Sequence, residues 1–273
     1  MALQNSKPAK KTPLSCSDFI EYWDIVIEQW LQNRSGCHEL EEQKQFALNL
    51  GIDEENRLPE PYWGDPGNNS FVIMSYNPGP CKDSRHNYRF CADTDNCMIH
   101  EVKSKKYSGF AKTFPLYRTL KTTESWFQDS IGRSWWLKHR KKWIEDLTKM
   151  LKCKNENPFA MEFCAWHSDN WKGIKSRSID SSAPYINLLL ESFVGAIESS
   201  DSHIGICFGC QFRNSKKFIS QIINKGFAYD HNIGKHHIYK RRDLFIVLYC
   251  KGDRQRYPSD LSEIDYIIKR LII

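Results

Sequence analysis

The chain of 273 residues contains no apolar run approaching the roughly 18 residues of a membrane span. Its first residues, Met1 to Pro13, are polar and basic and lack the apolar stretch of a secretory signal. There is no internal repeat, no low-complexity tract, no Gly-rich phosphate loop, no nucleophile elbow and no iron-sulfur cysteine spacing. These absences set aside membrane proteins, solenoids, nucleotide-binding P-loops and serine hydrolases. Charge of one sign is also scarce: 39 Lys and Arg stand against 33 Asp and Glu, a net charge of +6. The resulting pI of about 8.7 permits a polyanionic partner without requiring one. Ten cysteines are scattered through a chain too long for a disulfide scaffold, so the expectation is a cytoplasmic protein with reduced thiols and no membrane association.

What is present is an ordinary globular composition, 40% apolar, enough for one large α/β domain. Phe19, Tyr22, Trp23, Val26, Ile27 and Trp30 recur at intervals of three and four after Ser17-Asp18, which predicts a helix with a core-facing stripe. A turn-rich segment, Leu58 to Ser70, separates this N-terminal arm and helical extension (1–69) from the main domain (70–273). Buried-strand runs follow at Phe71–Ser75, Phe159–Ala165, His203–Phe208 and Leu244–Tyr249. Helices are expected around Trp135 to Leu151 with a basic face at Lys138 to Lys142, from Tyr185 to Ala196, and from Gly209 to about Ile223. From Cys81 to about Ser130 the chain has little clean periodicity. Strands alternating with helices predict a three-layer α/β/α domain with a short parallel central sheet, whose ligands bind at the carboxyl ends of the strands.

The sharpest motif is Met74-Ser-Tyr-Asn-Pro-Gly-Pro80, a buried strand ending in an amide and a rigid turn. As a bare tetrapeptide, Asn-Pro-Gly-Pro is turn chemistry. In its context the segment resembles the strand-end motif of the uracil-DNA glycosylase superfamily, especially its Asn-Pro-Gly branches, the single-strand-selective monofunctional and mismatch-specific types. Phe90 stands thirteen positions after Asn77, the offset of the superfamily's base-stacking aromatic, with Tyr88 a near alternative. Met161-Glu-Phe-Cys-Ala-Trp166 resembles the strand that carries the base-reading residue, here Glu162. Tyr257-Pro-Ser-Asp-Leu-Ser262 resembles the His-Pro-Ser segment that closes on DNA, with Tyr257 in place of the family's His. Cys250 or His167 is an alternative occupant of that role.

The resemblance, spanning about residues 70 to 270, implies a monofunctional DNA glycosylase without cofactor, acting as a monomer with DNA as partner. Such an enzyme extrudes the target base, stacks it on an aromatic and reads its edge while positive charge develops on the sugar. Asn77 is then the residue that positions the attacking water, and the departing base anion is stabilised by fixed donors such as Tyr257, His167 or a backbone N–H. Tyr76, Pro78, Gly79, Phe90, Glu162 and Ser259 are the implied substrate contacts. Gly79 leaves room for a substituent at the pyrimidine 5-position. Glu162 accepts from the exocyclic amine of cytosine, where uracil presents a carbonyl, and a protonated carboxyl would also donate to N3. The expected substrate is a 5-modified cytosine, such as the hydroxymethylated or glucosylated base of foreign DNA, in an antiviral role. The rivals are uracil or mismatch repair, and a catalytically inactive module that binds modified DNA.

Lys251, Arg254 and Arg256 are candidate DNA contacts beside Pro258, against the reading of a solvated loop. The run Lys235, His236, His237, Lys240, Arg241 and Arg242 reads as an exposed strand edge. Cys81, His86, Cys91, Cys97 and His100 lack the paired Cys-x-x-Cys knuckles of a zinc site, so no metal is expected. Cys207-Phe-Gly-Cys210 reads as core thiols rather than a redox pair.

Overall fold

The computed structural model describes residues 14–33, 36–52, 58–76, 88–113, 140–166, 183–250, 258 and 262–272. In chain order the elements are α1 (Leu14–Leu31), α2 (His38–Asn49), β1 (Tyr62–Trp63), β2 (Val72–Ser75), α3 (Tyr88–Thr113) and α4 (Lys141–Met150). They continue with β3 (Phe159–Glu162), α5 (Ala183–Ser199), β4 (Ile204–Phe208), α6 (Cys210–Asn214) and α7 (Lys216–Asn224). The chain then forms β5 (Ala228–Ile233), β6 (His236–Arg241), β7 (Leu244–Tyr249) and α8 (Ser262–Ile272).

The strands form one mixed seven-stranded sheet in the order β1-β3-β2-β4-β7-β6-β5. Its centre, β3-β2-β4-β7, is parallel, and the two flanks are antiparallel. The α/β class is therefore as expected, while the expected short parallel sheet is enlarged. The four central strands are buried almost throughout, which is why they read as continuous apolar runs instead of alternating ones. The flanks follow different chemistry. β1 is two residues long and lies inside the turn-rich stretch. β5 is mostly exposed and, among the described residues, pairs on one side only, and β6 lies between β5 and β7. The basic run 235–242 is thus an interior strand and its turn, not the sheet edge that the sequence suggests.

Strand alternation assigns the two faces. Val72, Met74, Gly205 and Cys207 share one face by register, and a Cβ added at Gly205 would collide with Phe193 and Ile197, so α5 lies on that side. Phe163 continues that face from β3 and meets Phe46 of α2, Phe212 of α6 and Phe218 of α7. On the opposite face Trp143 of α4 packs on Phe208 and on Phe71. Helix, sheet and helix make three layers.

The apolar stripe of α1 behaves as core. Phe19, Trp23, Val26 and Ile27 are buried, and Trp23 Nε1 donates to the Tyr185 hydroxyl of α5 at 3.1 Å. Each such side chain contributes roughly 1.5–3 kcal/mol by burial. Buried side chains from Cys16, Phe19 and Trp23 to Leu40, Phe46, Leu58 and Tyr62 share this hydrophobic core with the sheet, and β1 extends the sheet beside β3. The Gly209-to-Ile223 helix is instead two helices. Ser215 has extended backbone and its side chain accepts from the Phe218 N–H at 3.1 Å, ending α6 and capping α7 in one residue. In the segment without periodicity, α3 forms with a break at Lys106, whose φ is 58°. Asp24 of α1 takes the Ser108 N–H at 2.8 Å and its hydroxyl at 2.7 Å, restarting the helix there.

Gly205→Val is expected to destabilise the protein by about 2–3 kcal/mol, because Phe193 and Ile197 occupy the space its side chain needs. Urea unfolding monitored by circular dichroism checks this, and an unchanged midpoint would contradict the packing described.

Candidate functional site

In a doubly wound sheet the chain leaves neighbouring parallel strands toward opposite faces at one place, and ligands bind in the crevice so formed. Here the crossovers reverse between β2 and β4: β2 is followed by its neighbour β3 on one side, with α4 of that crossover on one face, and β4 by its neighbour β7 on the other side, with α6 and α7 on the opposite face. After β2 the chain proceeds through α3 and α4, the latter on the Trp143 side, to β3. After β4 it proceeds through α6 and α7 on the α5 side. The carboxyl ends of the four parallel strands are aligned, with Ser75 opposite Glu162 and Phe208 opposite Tyr249.

Tyr76 follows β2 directly and is fully buried. Its ring stacks on Phe212, with centroids 4.5 Å apart. Its hydroxyl donates to Gln211 Oε1 at 2.7 Å and accepts the Phe212 N–H at 3.1 Å. Gly209 makes this possible: φ is 135°, a conformation that favours glycine, and a Cβ there would enter the tyrosine ring. The Tyr76 carbonyl accepts from the Cys164 N–H at 2.7 Å, joining the tip of β2 to that of β3. The side chain of Tyr76, expected as a substrate contact, is thus committed to positioning the strand end.

Glu162 closes β3 and is 5% exposed. Its N–H donates to the Pro61 carbonyl at 2.9 Å. By register it shares the face of Ser75, at the end of the strand next to the one that runs into Asn77. A carboxyl sequestered at the carboxyl edge of a parallel sheet is placed to accept hydrogen bonds from a ligand entering there. Its charge also adds to the burial that pushes the neighbouring Cys164 thiol up to about 12. Cys164 and the fully buried Cys207 are therefore protonated core thiols.

Beyond β4 and β7 the register brings Cys210 and Cys250 together, with Cα atoms 4.9 Å apart, and they form a disulfide. This corrects the expectation of reduced thiols throughout and of Cys210 as a core thiol, while Cys207 remains one. Closing a loop across 40 residues contributes about 4 kcal/mol in the chain-entropy account. It also removes Cys250 as a candidate for the family's His. His236 of β6 lies beside it: its Nδ1 accepts the Cys250 N–H at 2.9 Å, and its ring stacks on Tyr249 with centroids 4.5 Å apart. Burial, then the nearby Arg213 and His237, lower its pKa to about 4.

Of the other residues singled out by sequence, Asn77, Pro78, Gly79, His167, Lys251, Arg254, Arg256, Tyr257 and Ser259 lie outside the described residues. So do Cys81 and His86 of the zinc reading. Phe90 and Tyr88 fall in the first turn of α3, where only the backbone is described, and Pro258 is buried. Among the described residues no group of three or more His, Cys, Asp and Glu side chains could hold a metal ion, and no helix is long and apolar enough to cross a membrane. Sequence reasoning missed the Gly209, Gln211 and Phe212 cradle, the disulfide and His236. A glycine ending a buried strand was the available signal for the first; the others depend on register between segments distant in sequence. Comparison with known protein families, curated proteins and solved structures returns no match.

Tyr76→Phe removes one hydroxyl that both donates and accepts within the core, so it is expected to cost about 1–3 kcal/mol in urea unfolding. A midpoint equal to that of the wild type would show the cradle to be dispensable.

His236 adds a pH dependence of definite sign. The unfolded state binds a proton near pH 6.5 and the folded state near pH 4, so this group's contribution to stability is full above about 6.5 and is lost as pH falls toward 4. His236→Asn should flatten the fall in unfolding midpoint over that window; an unaltered slope would assign the acid sensitivity elsewhere.

Proposed function

We propose that this chain is a monofunctional DNA glycosylase with a uracil-DNA glycosylase-like fold, and that its substrate is DNA bearing a 5-modified cytosine. The observation that carries the reading is the adjacency of two strand ends. β2, which runs into Tyr76-Asn77-Pro78-Gly79, lies in register beside β3, which ends on the buried Glu162, one strand from the reversal of crossover direction between β2 and β4. A strand-end amide and a strand-end carboxyl on neighbouring strands suit two halves of one reaction.

In this mechanism the nucleotide is extruded and its base enters between the ends of β2 and β3. Glu162 accepts from the exocyclic amine of cytosine, and Gly79 leaves the 5-substituent unobstructed. Asn77 holds a water against the anomeric carbon as the N-glycosidic bond breaks. The sugar carbon takes the hydroxyl of water, the base leaves with the bonding electron pair, and the proton of water ends on the base. Because an amide is a poor base, rate comes from positioning and from donors to the departing base, for which Tyr257, His167 and backbone N–H groups are the candidates. The product is an abasic site, and removal of a base that marks foreign DNA suits antiviral defence in the cytoplasm. The protein acts as a monomer without a cofactor.

The test is abasic-site formation by the purified protein on DNAs bearing uracil, 5-hydroxymethylcytosine or glucosylated cytosine. Modified-cytosine DNA should become cleavable at abasic sites, with Asn77→Ala slowing the reaction by about a hundredfold or more. Glu162→Gln should slow it by about tenfold to a hundredfold, the cost of a mismatched base edge. Reaction of uracil DNA alone would replace this reading with repair, and binding without reaction on every DNA would leave an inactive binding module.

A further inference from the structure

The β5–β6 hairpin supplies a surface that the proposed reaction does not use. β6 runs antiparallel to β7, so its first residues lie beside the last of β7, and the Gly234-Lys235 turn stands at the same sheet edge as the ends of β2, β3 and β4. From Cys210 to Arg242 the chain carries eight Lys and Arg residues and one acid, Asp230, which contacts His231 at 2.7 Å.

Two separate elements bring cations to the turn. Arg213 of α6 donates through Nη1 to the Lys235 carbonyl at 3.1 Å and through Nε to Asn214 Oδ1 at 3.1 Å. A planar guanidinium has five N–H groups, so others remain for an oxyanion. Among the described residues no carboxylate pairs with Arg213 or Lys235, whereas Lys225 and Arg241 of the same segment are tied to Glu191 and Glu198. The lowered pKa of His237, caused by burial and then by Arg213, fits a locally positive field.

Register places His237, Tyr239, Tyr229 and Asn232 on one face of the hairpin. Tyr229 is 49% exposed, yet its ring makes edge contacts with His237 and Tyr239, at centroid distances of 5.9 and 5.8 Å. An exposed aromatic ring propped by two others is a preformed stacking surface. It lies three residues from Asn232 along β5, roughly 10 Å at the rise of a strand. Cations at the turn and a braced aromatic behind them match the two requirements of an unpaired nucleic-acid strand, neutralised phosphates and a platform for a base.

We propose that the hairpin turn and this face bind an unpaired stretch of the DNA strand flanking the excised nucleotide. Arg213 and Lys235 contact backbone phosphates, and Tyr229 stacks a base. The inference rests on the DNA reading above, and it assigns the protein a preference for single-stranded or opened duplex.

Fluorescence anisotropy with a labelled oligothymidylate, at several salt concentrations, tests it independently of catalysis. The double variant Arg213→Glu/Lys235→Glu should weaken binding at least tenfold and make the salt dependence shallower by about 1.4 in log–log slope, two single-strand phosphate contacts. Tyr229→Ser should weaken binding about fivefold or more with the slope unchanged. The double variant Lys149→Glu/Lys154→Glu carries the same charge change on α4 and the loop entering β3, and should stay within about twofold of the wild type. Unfolding midpoints establish that each variant is folded.

Equal losses in both double variants would reduce the effect to net charge and overturn the proposal, as would wild-type affinity in the hairpin variants or no binding by the wild type. Loss of binding in the hairpin variants, with no abasic sites formed by the wild type, would sink the glycosylase reading and leave this one standing. Abasic sites formed equally well by hairpin variants that bind as the wild type does would sink this one alone.

Discussion

The architecture of the candidate site depends on one close approach, that of the Tyr76 ring to the backbone of Gly209. β2 and β4 are neighbours in the parallel ladder, but the crossovers that follow them run to opposite sides, to β3 and to β7, so the ladder itself does not fix the strand tips relative to one another. The tyrosine does so: its ring fills the space a side chain at residue 209 would take, and its hydroxyl engages Gln211 and Phe212 at the start of α6. The same residue's carbonyl bonds to Cys164 just past β3. Three strand ends are thereby held through a single side chain and its backbone. Pre-organisation of this kind is needed where rate must come from position and not from a strong base.

Around this point the core is unusually aromatic. Tyr185 of α5 contacts Phe19, Tyr22, Trp23 and Phe46, so both N-terminal helices are anchored through one ring. Burial holds its hydroxyl well above the usual tyrosine range, consistent with a neutral acceptor for the Trp23 N–H. Tyr107 performs a similar service for β1, donating to the Tyr62 carbonyl at 2.8 Å from inside α3. These hydroxyls let large rings enter a core without stranding polar atoms, which keeps the geometry of the sheet edge definite.

The sequence was legible where burial was complete on both faces. β2, β3, β4 and β7 read as apolar runs because helices cover both their sides, and α1 reads as a stripe because one side of it meets the core, while α5, held between the sheet and α1, leaves a narrow polar line at Asn187, Glu191 and Glu198. α3 was illegible because its periodicity is broken at Lys106 and part of its support, Asp24, comes from α1. β1 is too short to leave a pattern, and β5 and β6 are rich in His, Lys and Tyr because much of their surface faces outward. Within the candidate site, Glu162 read as the interior of a strand over Phe159–Ala165 that in fact ends on it, whereas Tyr76 could be placed at a strand end from sequence alone. The role of the Tyr76 side chain could not, since it depends on a backbone 133 residues away at Gly209. The Cys210–Cys250 bond was hidden for the same reason: it follows from the pairing of β4 with β7.

The two edges of the sheet have a bearing on how the molecule behaves at high concentration. An open strand edge is a template for other chains, and proteins blunt it by brevity, charge or irregularity. β1 uses brevity, with two residues, one of whose carbonyls is taken by Tyr107. β5 is long enough to recruit a second copy, but the register shift between Tyr229 and His231 interrupts its ladder, and Asp230 and His231 put polar groups at the irregularity. Replacing those two residues by β-branched apolar ones would therefore be a change in colloidal behaviour more than in folding, turning an edge that discourages self-association into one that invites fibrils.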